Sequence, residues 1–161
     1  MNTNMSPEEM GRIWDRVAPP PPPPPPPSCE GKAAELARAL DEAACLKGLY
    51  MGMSRKTGRR QESETLRAMA RDEAGAERAL MRELFVLTGE TRHPKRCPYR
   101  DDGLLGGIRD AIMREERFEA ALLRAGQCGL RPQSAERYRL LIRSSRRHRE
   151  RLEAMLDRII R

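Results

Sequence analysis

From residue 31 onward, apolar side chains recur every three or four positions in four long stretches, and Gly and Pro gather between them. That spacing puts one stripe on one face of an α-helix; a half-buried strand would need strict alternation instead. The stretches cover about residues 31–55, 61–88, 104–125 and 134–161. On the first, Leu36, Ala39, Leu46, Leu49 and Met53 share a face. Leu66, Met69, Ala76, Leu80 and Leu87 do so on the second, and Ile108, Ile112 and Leu123 on the third. The fourth keeps Tyr138, Leu141, Ser145, His148, Leu152, Met155 and Ile159 in phase, with Ser134 as its expected cap after Pro132. Gly89 is a stop signal for the second.

Each stretch would be roughly 33–42 Å long at about 1.5 Å per residue. Four helices of matched length make an all-α four-helix bundle the economical fold. With two Phe, three Tyr and one Trp, the core must be built from Leu, Ala, Met and Ile. The first–second and third–fourth loops are short, so each pair should be an antiparallel hairpin. Residues 89–103 carry Pro94 and Pro98 and are long enough, at about 3.3 Å per residue, to run the length of a bundle as a crossover.

Ahead of the bundle, residues 6–17 read as a short helix with Met10, Ile13, Trp14 and Val17 on one face. An unbroken proline run follows at 19–27; as polyproline II it is a rod of about 28 Å. The domain reading is thus an N-terminal helix and tail at 1–18, a linker at 19–28 and the bundle at 29–161. The rod serves as a linker or spacer, and residues 6–27 are the place for a protein partner.

The net charge is +7, with Arg and Glu interleaved along the helices. This matches a solvated helix exterior. The dense run of Arg143, Arg146, Arg147, Arg149 and Arg151 has no interleaved aromatics, which argues against nucleic-acid binding. Cysteines 29, 45, 97 and 128 form no Cys-x-x-Cys pair, so no zinc ribbon or rubredoxin-type site is signalled. No signal peptide or membrane span is legible. The expectation is a cytoplasmic protein with free thiols, Cys45 among them as a buried one.

Charged residues also fall inside the apolar stripes. Glu42, Glu73, Glu116 and His148 sit near mid-helix on the inward faces, with Glu35 and Glu119 on or beside them. Glu115 competes with Glu116 for the inward place, and periodicity does not separate them. A carboxylate buried without a partner costs several kcal/mol, so such a set calls for shared protons, hydrogen bonds or a metal.

Here the chain resembles the ferritin-like superfamily, most closely its rubrerythrin-type branch. The second stretch, LRAMARDEAGAERALMRELFVLTGE, is similar to that family's metal helix, and Glu42 lies 31 residues before Glu73. MREERFEAALLRAG and IRSSRRHRERLEAML match the third and fourth helices in position. The resemblance implies a bundle binding two iron or manganese ions, with oxygen, peroxide or iron-oxidation chemistry. A homodimer or larger homo-oligomer is a separate expectation.

Carried over by position, Glu42, Glu73, Glu116 and His148 match liganding positions; Glu119, one turn from Glu116, joins them as a metal-ligand candidate. The family's two Glu-x-x-His slots are each half lost: one reads Glu73-x-x-Ala76, the other Ser145-x-x-His148. Leu49 stands where the family has an inward Tyr, with Tyr50 beside it. The ligand set is therefore degenerate, sufficient for one ion or a weak pair. A non-catalytic bundle acting as an adaptor through residues 1–28 is the competing expectation.

Overall fold

The computed structural model describes residues 31–97, 102–128 and 131–160. These form four α-helices and, among the described residues, no strand: α1 Lys32–Ser54, α2 Arg60–Thr88, α3 Gly103–Gly126 and α4 Pro132–Ile160. The expected helix at 6–17 and the proline rod at 19–27 lie outside the described residues.

Local chemistry explains the boundaries. The turn between α1 and α2 is tied by side chains. Thr57 Oγ1 donates to Glu62 at 2.8 Å, and Ser63 Oγ donates to the Ser54 carbonyl at 2.7 Å. α2 stops where Gly89 turns left-handed at φ 74° and its N–H reaches the Phe85 carbonyl at 2.8 Å. α4 begins at Pro132, where a missing N–H costs nothing in the first turn. Ser134 is consequently inside the helix rather than its cap, and its hydroxyl donates to Glu83 Oε1 across to α2.

α1 packs broadly on α2 and on α3, and α4 packs broadly on α3 and narrowly on α2. The backbones of α1 and α4 do not approach closely, nor do those of α2 and α3, so those pairs occupy the diagonals and meet only through side chains such as Tyr50 and His148. The core centres on Leu36, Leu40, Leu46, Met69, Phe118, Leu122 and Leu152. Leu87 and Leu123, expected inside, are about half exposed, and Ile159 is exposed as well. Leu84 and Leu122 take the inward phase instead. On α3, small residues at 111, 121 and 125 set the buried stripe and allow close approach, whereas the sequence reading followed the larger side chains.

α2 ends beside the start of α1, where Ala33, Ala37, Leu84 and Thr88 line one cavity. α3 starts beside the end of α1: Gly107 lies against Met53, and a Cβ there would fall 2.8 Å from the Met53 sulfur. Residues 91–97 follow α1. The Lys95 N–H donates to Asp41 Oδ1 at 2.9 Å, and Arg92 pairs with the same carboxylate. Cys97 then meets Cys45.

Those two cysteines form a disulfide, with Cα atoms 5.0 Å apart. The expectation of a free Cys45 thiol is corrected by this bond. Its partner stands 52 residues away, and only the path of the connection over α1 brings it there. No described helix is long and apolar enough to cross a membrane.

Candidate metal centre

Each helix sends one buried polar side chain to the middle of the bundle: Tyr50 from α1, Glu73 from α2, Glu115 from α3 and His148 from α4. All four are 2% exposed or less. His148 is the hub. Its Nδ1 lies 2.9 Å from Glu115 Oε1 and 3.1 Å from Glu73 Oε1. Its Nε2 lies 3.2 Å from Oδ2 of Asp72, a carboxylate about half exposed to solvent. Tyr50 donates its phenolic hydrogen to Glu115 Oε1 at 2.5 Å, and its ring meets the imidazole edge-on with centroids 5.9 Å apart.

The second oxygens of Glu73 and Glu115 are buried and accept no hydrogen bond. Among the described residues, neither carboxylate forms an ion pair with Arg or Lys; His148 is the cationic partner of both. Burial therefore pushes the Glu73 carboxyl up to about 7, a rise that the His148 hydrogen bond only partly opposes. Burial alone would lower the His148 pKa. The hydrogen bonds and charges of Glu115 and Glu73 outweigh it and raise the imidazole to about 10. The Tyr50 phenol is held well above its usual value, by burial first and then by the two carboxylates.

Of the ligand candidates read from sequence, the structure brings Glu73 and His148 together. Glu115, not Glu116, completes the group: the Glu116 side chain is 58% exposed and lies 3.7 Å from Arg149. Glu119 is buried but held by two guanidiniums, Arg146 at 2.5 Å and Arg149 at 2.6 Å. Glu42 pairs with Arg114 at 2.9 Å, on the flank of the α1–α3 contact. Glu35 is likewise paired, with Arg38 and Arg124. Two of the five arginines in the dense run thus fold back on Glu119, while Arg143, Arg147 and Arg151 face solvent.

Sequence reasoning missed two participants. Tyr50 lies two turns beyond Glu42 and one beyond Leu46, so it shares their stripe; that spacing was the available signal. Asp72 precedes Glu73 and carries no periodic signal of its own. At the two half-lost slots, Ala76 is buried and brings no polar atom, and Ser145 Oγ donates to the Glu115 carbonyl at 3.1 Å.

Glu73, Glu115 and His148 each offer a ligand atom, and the three atoms lie within 4.8 Å of one another. Among the described residues this is the one such group. The nitrogen–oxygen separations of 2.9 and 3.1 Å are those of neighbouring ligands around an ion with bonds of about 2.1 Å. Two buried carboxylates also carry the charge that a divalent cation balances. The chain matches no family model, no curated protein and no solved structure.

Proposed function

We propose that this protein is a metal-binding four-helix bundle that holds one divalent ion between Glu73, Glu115 and His148. The observation that carries the reading is a buried imidazole bounded by two buried carboxylates, Glu73 and Glu115, whose second oxygens accept no hydrogen bond. Buried charges persist in proteins when they are paired or coordinate metals. Asp72 adds a second reason. A carboxylate on the far ring nitrogen of a metal-bound histidine fixes its tautomer and raises its basicity, and Asp72 is placed on Nε2 for that role.

Mixed carboxylate and imidazole donors suit iron, manganese or zinc. Such an ion supplies Lewis acidity, and for iron or manganese one-electron redox chemistry. The chain's own groups set the surroundings. Tyr50 fixes the orientation of Glu115, the Leu-rich core excludes water, and Asp72 gives the site its contact with the solvent side.

A ferritin-like ancestry of rubrerythrin type is part of the proposal. It is supported by the diagonal placement of α2 and α3, by residues 91–97 running along α1, and by Glu73 and His148 at positions that match the family's ligands. A full paired-metal centre is not part of it. Ala76 and Ser145 replace two ligands, and Glu42, Glu116 and Glu119 answer to arginines.

Metal analysis after equilibrium dialysis tests the reading. Purified protein dialysed against Mn(II), Zn(II) or anaerobic Fe(II) should retain about one ion per chain, and His148→Ala or Glu73→Gln should lose it. Retention unchanged in both folded variants, or absent from wild type with all three metals, overturns it.

A further inference from the structure

The Cys45–Cys97 disulfide lies on the flank of the α1–α3 contact, away from the buried group just described. Its two sulfurs differ in surroundings. Cys45 is 5% exposed within α1, whereas Cys97 belongs to the exposed connection. The bond borders a cavity of about 450 Å³ shared with Leu49, Gly106, Gly107 and Arg114. The two glycines keep that wall low. A Cβ on Gly107 would fall 2.8 Å from the Met53 sulfur, and one on Gly106 would fall 2.7 Å from the Asp102 side chain. Arg114 Nη1 sits 3.4 Å from Cys97 Sγ, and Lys95 and Arg96 precede it directly. Glu42 and Asp110 hold the same guanidinium, at 2.9 and 3.0 Å, and fix it beside the exposed sulfur. Access and a positioned N–H donor therefore coincide on one sulfur.

We propose that Cys97 is a thiol–disulfide exchange site through which an external dithiol reduces the Cys45–Cys97 bond. One thiolate of the reductant attacks Cys97 Sγ and forms a mixed disulfide there. The Cys45–Cys97 bond breaks, and Cys45 leaves as a thiolate that takes a proton from water. The second thiol of the reductant, deprotonated, then attacks its own sulfur in the mixed disulfide. This closes the reductant's disulfide and expels Cys97 as a thiolate, which later takes up a proton. Two electrons pass from the dithiol to the protein. Arg114 serves the second step: its Nη1, 3.4 Å from Cys97 Sγ, donates to the departing Cys97 thiolate and stabilises it. Attack on Cys45 is hindered, since that residue is almost fully buried within α1, and among the described residues no cation lies against its sulfur.

The test uses the oxidised full-length chain in native buffer. Dithiothreitol serves as a small dithiol and a Cys-x-x-Cys protein as a protein dithiol, with acid quenching, thiol alkylation and mass analysis. Two new alkylated cysteines per chain, 45 and 97, should appear without denaturant. The arm that reacts faster identifies the source of the dithiol. A Cys-x-x-Cys protein lacking its resolving cysteine should be trapped on Cys97. Arg114→Gln should slow reduction roughly tenfold and Arg114→Lys should restore most of the rate, compared well below the melting point of each folded variant. Reduction that requires urea, trapping on Cys45, or equal rates in wild type and both Arg114 variants overturns the proposal. So does a chain whose cysteines 45 and 97 stay free under mild oxidant.

Discussion

His148 Nδ1 stands 2.9 Å from Glu115 Oε1, across the contact between α3 and α4, with neither side chain open to solvent. A charged pair so placed is held by the rest of the bundle, and removing one partner exposes what the other costs. His148→Ala leaves Glu73 and Glu115 buried without a cation. The expected loss is about 3–5 kcal/mol in metal-free protein. The Glu73→Gln/His148→Ala double variant should lose less than the sum of the two. A double-mutant cycle from urea melts decides; strict additivity contradicts the network.

The same pair makes metal-free stability depend on pH with a definite sign. His148 is raised from 6.5 to about 10, so its contribution is complete below about 6.5 and is lost as pH climbs through about 10. Glu73 is raised from 4.5 to about 7, so its contribution is present below about 4.5 and lost through about 7. Both terms fall with rising pH. The stability difference between wild type and His148→Gln, measured in chelator by urea titration, should therefore shrink from neutral pH towards pH 10. A difference that is flat or grows over that range contradicts the assignment.

Tyr50→Phe keeps the ring in the core but removes the hydrogen given to Glu115 Oε1. A buried carboxylate that loses a donor should cost about 1–3 kcal/mol, read as a lower urea midpoint with unchanged slope. No change in midpoint would mean that the phenol does not hold Glu115.

Cys97→Ser opens a covalent loop with a sequence separation of 52 residues. Chain entropy sets the cost at up to about 4 kcal/mol. The 91–97 segment then depends on the Asp41 contacts with Arg92 and Lys95. Trypsin should cut after Arg92, Lys95 and Arg96 faster in this variant, and in reduced wild type, than in oxidised protein. Equal cleavage rates would show that the disulfide does not fasten the segment.

Much of this was legible in the chain. The 3–4 stripes located all four helices to within two residues of their ends, because a long amphipathic period survives local exceptions. Gly89 marked the end of α2 because only a left-handed turn closes a helix in that way. Glu73 and His148 stood out as charged residues in the middle of apolar stripes, and both are buried in the structure.

What the sequence determined, then, is the phase of each helix about its own axis and the presence of polar groups on the buried sides. It could not choose Glu115 over Glu116, because adjacent residues differ by about 100° and the apolar stripe is itself that wide. Nor did it show which inward carboxylates meet a histidine and which meet arginines. Glu42 and Glu119 occupy positions as plausible as Glu73, yet α3 and α4 deliver Arg114, Arg146 and Arg149 to them. The Tyr50–Glu115 bond and the Cys45–Cys97 bridge were likewise decided between elements. A helix period records what one segment wants to bury. Only the packing of four segments fixes which side chains share the space, and so where charge stays uncompensated.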